Sequence, residues 1–278
     1  MRKKMMFASD LDQTLIYSQR SFMNENLQET ILPVEWFENR YISYMTANSI
    51  SKLKQLSREV LFIPVTTRTK IQYQRINFAE YDIFFDYAVT SNGGTIFHKG
   101  IEDQEWSRQV SAACKNCLEA ADLIQRFNEI RHPSWVHPDS GKMADNLFYY
   151  CLVERDMIPV VDLAAFKLWA KEKNWELSIQ GRKLYLVPNS VNKKTAVQYI
   201  KGKEGIDCSL AAGDSLLDLD MLNTADFAVA PAHGELHSLR LQKLLDLERI
   251  HFTRQHGIKA GEEILDYVAD SMSKDLVV

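Results

Sequence analysis

The segment Met5-Met6-Phe7-Ala8-Ser9-Asp10-Leu11-Asp12-Gln13-Thr14 passes from wholly apolar to acidic within a few residues. An apolar run that should form a buried strand ends in two carboxylates one residue apart, followed by the hydroxyl of Thr14. Such a strand end suits phosphoryl transfer. Asp10 can act as nucleophile, and Asp12 can give a proton to the leaving-group oxygen and later take one from water. A lone D-x-D-x-T is more often an Asp-rich solvated turn, so the rest of the chain must decide. Three further segments supply what the chemistry needs. Val60-Leu61-Phe62-Ile63-Pro64-Val65 reads as a second buried strand that delivers Thr66-Thr67-Arg68, where a hydroxyl could hold a phosphate oxygen. Lys193-Lys194-Thr195-Ala196 opens an amphipathic stretch in which the ammonium of Lys193, with Lys194 as rival, could balance a carboxylate and a phosphate. Finally Cys208-Ser209-Leu210-Ala211-Ala212 runs into Gly213-Asp214-Ser215-Leu216-Leu217-Asp218, so two more carboxylates leave a strand end. Hard oxygen ligands of this kind suit Mg²⁺, which takes few carboxylates together with waters and phosphate oxygens.

These residues must be positioned by strands that end at one edge. Strand-like runs at 5–9, 61–65, 87–90, 209–212 and 227–230 alternate with helical stretches, which predicts a doubly wound, mainly parallel α/β sheet with the site at its carboxyl edge. The segment 97–185 differs. A helix over 104–131, a strand over 147–153, a helix over 160–173 and a hairpin over 175–186 read as a separate α+β lobe, with 1–96 and 186–278 forming the main domain. Such a lobe could close over the site and read the rest of a substrate, with Arg131, His132, Trp135, His137, Lys142 and Arg182 as candidates. The stretch 18–46 is too long for a simple connection and carries Trp36, Phe37, Tyr41 and Tyr44. It fits a flap beside the pocket and a peripheral hairpin equally well. From about His233 onward the chain reads as a helix-rich closing segment.

The D-x-D-x-T, the hydroxyl at the second strand end, the later lysine and the G-D-x-x-x-D together resemble the four motifs of the haloacid dehalogenase (HAD) superfamily of phosphohydrolases. Ser91-Asn92-Gly93-Gly94, just before the long insertion, is similar to a turn found in the C2-capped sugar-phosphate phosphatases, the group that includes sucrose-phosphate phosphatase. The resemblance implies a Rossmann-like HAD core with a C2-type cap over 97–185. It further implies that Asp10 forms an aspartyl-phosphate, Asp12 is the general acid and base, Thr66 binds phosphate and Lys193 stabilises the transition state. Beside these, Thr14, Thr67, Arg68 and Asn92 near the strand ends and Arg182 of the lobe are the candidate substrate contacts. Mg²⁺ would be held by Asp10, the carbonyl of Asp12 and Asp214, with Asp218 acting directly or through water. Three positions depart from the common pattern: Gln13 and Thr67 stand where glycine is usual, and Leu217 stands where asparagine is frequent.

Composition sets the outer limits. With 46% of 278 residues apolar, the chain can bury one large core and a smaller lobe. A net charge of −4 gives no case for nucleic-acid binding. No stretch approaches the roughly 20 apolar residues that span a bilayer. The basic start Met1-Arg2-Lys3-Lys4 reaches Asp10 too soon for a secretion signal, which points to a cytoplasmic protein. Cys114 and Cys117, followed by His132 and His137, imitate zinc-finger spacing. Val110, Cys114, Cys117, Ala121 and Ile124 instead trace the apolar stripe of a helix, and prolines adjoin the histidines, so structural zinc is not expected. Cys151 and Cys208 read as reduced core residues. The expected activity is therefore Mg²⁺-dependent hydrolysis of a small, sugar-like phosphate monoester. A phosphomutase of the same superfamily and a non-catalytic binding or regulatory protein of the same fold are the alternatives.

Overall fold

The computed structural model describes residues 3–23 and 29–275, which divide into two compact units, Met1–Asp103 with Lys193–Val278 and Gln104–Asn192. In chain order the first unit opens with β1 (Met5–Ser9), the hairpin strands β2 (Ile31–Phe37) and β3 (Arg40–Thr46), α1 (Ala47–Glu59), β4 (Leu61–Pro64) and α2 (Lys70–Tyr73). Three strands follow: β5 (Tyr87–Thr90), β6 (Thr95–His98) and β7 (Ile101–Glu102). The second unit contains α3 (Gln104–Cys114), α4 (Ala120–Asn128), β8 (Lys142–Ala144), β9 (Phe148–Leu152), α5 (Val160–Glu172), β10 (Trp175–Gln180) and β11 (Lys183–Pro188). The chain then returns to the first unit as α6 (Lys193–Glu204), β12 (Cys208–Ala212), α7 (Leu216–Thr224), β13 (Phe227–Ala230), α8 (Glu235–Leu241), β14 (Ile250–Phe252) and α9 (Ile258–Asp275).

A five-stranded parallel sheet in the order β14-β13-β12-β1-β4 organises the first unit. Every residue of β1 and of β12 is buried, as expected for strands covered on both faces. Ser9 pairs with Ala212 on one side and with Pro64 on the other, so the three strands end at the same level. The next residues, Asp10, Gly213 and Val65, therefore emerge side by side, and the bonds Asp10 N–H to Ala212 O (2.9 Å) and Val65 N–H to Ser9 O (2.7 Å) fix that exit. Behind the sheet, Ile50, Leu53 and Leu56 of α1 and Ile264, Leu265 and Val268 of α9 share a core with Phe7 and Phe62. Thr46 caps α1 by accepting from Ser49 N–H (3.0 Å) and donates its own proton to Glu262 (2.6 Å).

The sheet differs from expectation at both ends. The strand at 87–90 forms, but as part of a three-stranded antiparallel sheet, β5-β6-β7, joined to the main sheet by a single parallel bridge between Val65 and Val89. Pro64 explains the separation, because its nitrogen has no proton to donate and a neighbour can pair only beyond it. The fifth parallel strand is β14, three residues long and too short to show a period.

The second unit is a four-stranded antiparallel sheet, β10-β11-β9-β8. Leu123 and Phe127 of α4 and Leu163, Phe166 and Ala170 of α5 pack with Cys151, Trp175, Leu177 and Leu184 of the sheet. The single helix expected over 104–131 is two helices, broken at 115–119. The break is stabilised from outside the helix: Leu118 N–H donates to Lys173 O (3.1 Å), Asn174 Nδ2 to Asn116 O (2.8 Å) and Trp175 Nε1 to Leu118 O (2.8 Å). Unit boundaries also fall later than 96/97 and 185/186. The β6–β7 hairpin continues the antiparallel sheet of the first unit, while β11 pairs with β9 and β10 as far as Pro188.

Candidate active site

Asp10, the first residue beyond β1, is buried and faces Lys193, the first residue of α6. Lys193 Nζ lies 2.5 Å from Asp10 Oδ1 and 2.6 Å from Asp218 Oδ1, with both partners and the lysine buried. Lys194, the next residue, is half-buried and takes no part in this contact. The other oxygen of Asp218 accepts from Asp214 N–H (3.2 Å), Ser215 N–H (3.0 Å) and Ser215 Oγ (2.7 Å). Asp218 thus anchors the lysine from a fully hydrogen-bonded position. Gly213 makes the turn possible, since a Cβ there would meet Asp218 Cβ at 2.4 Å. Thr14 Oγ1 donates to Asp10 Oδ2 at 3.2 Å.

Asp10, Asp214 and Asp218 bring carboxylate oxygens within 4.8 Å of one another, the group of metal-capable side chains found among the described residues. Of these three carboxylates, Lys193 contacts Asp10 and Asp218. Burial pushes Asp10 up to about 7 against the pull of Lys193, with Asp218 adding to the rise. Burial also raises Asp214 well above the carboxylate range, reinforced by Asp10 and Asp218. Desolvation disfavours the charge on Lys193, but the two carboxylates outweigh it and hold the ammonium charged. An oxygen-rich cluster carrying this excess of negative charge fits a hard divalent cation.

Asp12 sits apart from that cluster. Its two oxygens accept from Arg68 Nε (2.7 Å) and Nη2 (2.7 Å), and Arg68 Nη1 reaches Glu35 Oε1 at 2.7 Å. Ser43 Oγ donates to the other oxygen of Glu35. Thr66 is buried, and its Oγ1 accepts from Arg68 N–H (3.1 Å), which winds the loop after β4 around the hydroxyl. Ser91 and Asn92 adopt φ of 54° and 57°, and their N–H groups bond to Arg68 O (2.7 Å) and Thr66 O (3.0 Å), so this turn is stitched to the Thr66 loop. Thr67 is partly exposed on the same loop and does not take a positive φ, so nothing in its backbone requires the usual glycine.

Gln13 does adopt φ of 65°, where glycine would cost least. Two contacts support it. Gln13 Nε2 donates to Ser21 Oγ (2.6 Å), and its carbonyl accepts from His233 Nε2 (2.9 Å). Gly257 N–H donates to His233 Nδ1 (3.0 Å), which assigns the ring proton to Nε2. Glu35, Ser43, Ser215 and His233 did not stand out in the sequence. A charged residue inside the apolar run Ile31-Leu32-Pro33-Val34-Glu35-Trp36-Phe37 was the available signal for the first.

The remaining candidates lie in the second unit. Arg182 is exposed in the two-residue turn between β10 and β11. Trp135 is not a surface reader: it is buried, its ring packs edge-on to Phe127, and its Nε1 donates to Ile130 O (3.1 Å). Arg131 donates to His137 O (3.4 Å), His132 bonds Ser134 Oγ (2.9 Å), His137 pairs with Glu154 (2.7 Å), and Lys142 lies over the Tyr150 ring. Cys114 contacts Ser190 Oγ (3.3 Å) and Cys117 contacts Asn174 O (3.4 Å), so each thiol and each histidine of the zinc-like spacing has its own local partner. No helix of the described residues is long and apolar enough to cross a membrane.

Residues 3–267 match the family model described as sucrose-6F-phosphate phosphohydrolase. In structure the chain is similar to the sucrose-phosphatase of Synechocystis sp. PCC6803, solved in complex with sucrose and phosphate, at 16% identity and a TM-score of 0.68, covering 97% of this chain and 98% of that one. It is also similar to the HAD-superfamily phosphatase BT1666 of Bacteroides thetaiotaomicron, with 12% identity, a TM-score of 0.56 and coverage of 98% and 96%. The HAD subclass IIB sugar phosphatase BT4131 resembles it at 13% identity and a TM-score of 0.54, with 97% and 99% covered. No curated protein matches the chain by sequence. At these identities the structural likenesses establish the fold.

Proposed function

This chain belongs to the sucrose-6F-phosphate phosphohydrolase family and is a HAD-type phosphatase, and from that premise we propose that it releases phosphate from a phosphorylated sugar through an aspartyl-phosphate on Asp10. The observation that carries this reading is the buried Lys193 ammonium held between Asp10 at 2.5 Å and Asp218 at 2.6 Å at the carboxyl edge of the sheet. Lys193 offsets the negative charge that would otherwise repel a phosphate from Asp10. Oδ2 of Asp10 accepts from Thr14 at 3.2 Å, a longer contact than Lys193 makes with Oδ1, and is the freer oxygen for attack.

In the first step Asp10 bonds to phosphorus and the bond from phosphorus to the sugar oxygen breaks, with Asp12 giving that oxygen its proton. In the second step a water attacks phosphorus, Asp12 takes the proton, and the bond to Asp10 breaks to restore the carboxylate. Thr66 and the backbone of its loop would orient the phosphate. A magnesium ion would be held by Asp10, Asp214 and the Asp12 carbonyl, and when bound it would neutralise charge on the phosphate. Asp218, already saturated by Ser215, the Asp214 N–H and Lys193, suits orienting the lysine better than ligating the ion.

The test is release of inorganic phosphate from a panel headed by sucrose 6F-phosphate and extended to other sugar phosphates, with Mg²⁺ and with EDTA. Release that requires Mg²⁺ and is abolished in Asp10→Asn is the expected result. Release unaffected by Asp10→Asn, or none from any sugar phosphate, would contradict the reading. Phosphate returned to another position of the sugar would identify a mutase instead.

A further inference from the structure

Arg68 is shared by two carboxylates of very different character. Glu35, in β2, has 2% of its side chain exposed, Arg68 has 13%, and Asp12 has 48%. Glu35 is fixed at its far side by Ser43 Oγ from β3, and Arg68 Nη2 also approaches that hydroxyl at 3.4 Å. The strand register is irregular at this point: Pro33 pairs with Tyr44, Glu35 with Ser43 and Trp36 with Tyr41, so the hairpin is bulged where Glu35 meets the guanidinium. Bridges from Glu35 to Ile76 and from Asn77 N–H to Val34 O (2.8 Å) hold the outer edge of β2. One end of the Glu35–Arg68–Asp12 chain is therefore rigid and buried, and the other faces solvent.

Asp12 engages Arg68 through both oxygens at 2.7 Å, an arrangement that leaves the carboxylate turned toward the guanidinium. An acid–base group has to turn an oxygen to the leaving group, a movement that the fork, holding both Asp12 oxygens on the guanidinium, opposes. Opening it would strand a nearly buried guanidinium if Asp12 were its sole counter-charge, and an uncompensated buried charge is strongly unfavourable. Glu35 removes that obstacle.

We propose that Glu35 is a positioning residue for the acid–base step: by holding Arg68 permanently, it lets Asp12 alternate between the Arg68 fork and the leaving-group oxygen. The inference rests on the assignment of Asp12 made above and extends it to the β2–β3 hairpin. In Glu35→Gln, Arg68 keeps a neutral partner of the same shape but, among the described residues, has Asp12 as its remaining ion-pair partner, and Asp12 stays in the fork.

The experiment compares kcat/KM for a sugar phosphate, whose alkoxide needs a proton to depart, with that for p-nitrophenyl phosphate, whose phenolate leaves without one. Asp12→Asn is the reference and should lower the sugar-phosphate value at least about a hundredfold more than the aryl value. Glu35→Gln should produce the same split at about tenfold. The double variant Glu35→Gln/Arg68→Gln, which removes the competing cation, should shrink the split from about tenfold to within about threefold, an effect that a merely structural role for Glu35 would not give. Equal losses on both substrates in Glu35→Gln, or no loss, while Asp12→Asn keeps its split, would overturn the proposal. Absence of a split in Asp12→Asn itself would overturn the assignment of Asp12 and this inference together.

Discussion

Lys193 concentrates the electrostatics of the site in one side chain. Replacing it with Met leaves Asp10, Asp214 and Asp218 crowded without a counter-charge, and kcat on a sugar phosphate should fall about a hundredfold or more. An unchanged kcat in Lys193→Met would show that the lysine has a structural role alone. His233 is a second case, remote in sequence from the loop it supports. Burial lowers its pKa, and the neutral ring is the form that accepts from Gly257 while donating to Gln13. Because the folded pKa lies below the unfolded one, the unfolded chain binds the extra proton, and the stability this ring contributes is lost as pH falls below about 6.5. His233→Phe should cost about 1 kcal/mol in urea unfolding at pH 7.5, with the difference from the native protein shrinking by pH 5. A difference that grows toward acid pH would contradict the tautomer assigned here. Asp10, Asp12, Thr66, Lys193, Asp214 and Asp218 were legible in the sequence because each stands at a strand end or helix start, where the local pattern changes. Glu35 and His233 were not legible, since their importance lies in contacts with Arg68 and Gln13 that the fold creates across long stretches of chain.

At the scale of elements, the turn after β12 and the entrance to α1 are two points where one substitution has a defined cost. Gly213→Ala should destabilise the protein by about 2 kcal/mol or more and disturb Asp218, because the new Cβ meets that residue at 2.4 Å. Thr46→Ala removes both the cap of α1 and a donor to Glu262, and should cost about 1–2 kcal/mol by chemical denaturation. A loss below a few tenths would mean that water replaces both bonds. Strands rich in apolar residues were readable because burial on both faces leaves a continuous run, as in β1 and β12. The break between α3 and α4 was not, because an apolar stripe runs through it and the groups that capture its carbonyls come from residues 174 and 175. The reassignment of β5 turns on one missing proton at Pro64, a detail that periodicity does not weigh.

For the whole molecule, the parallel sheet assembles the cluster by ending β1, β4 and β12 at one level and returning the chain from the second unit at Lys193. The insertion therefore interrupts the first unit without separating its acidic residues. Folding brings carboxylates together at a cost that a cation should offset, so Mg²⁺ at millimolar concentration should raise the unfolding midpoint. The increase should be larger at pH 8 than at pH 5, where Asp10, raised to about 7, is already protonated. Equal shifts at both pH values would place the cation elsewhere. The most direct measurement is a single-turnover reaction of enzyme with a sugar phosphate and Mg²⁺, quenched in acid and digested for mass spectrometry. One phosphoryl group on the peptide containing Asp10, formed before free phosphate appears and absent in Asp10→Asn, is the expected result. Phosphate released with no phosphorylated Asp10 at any time would contradict it.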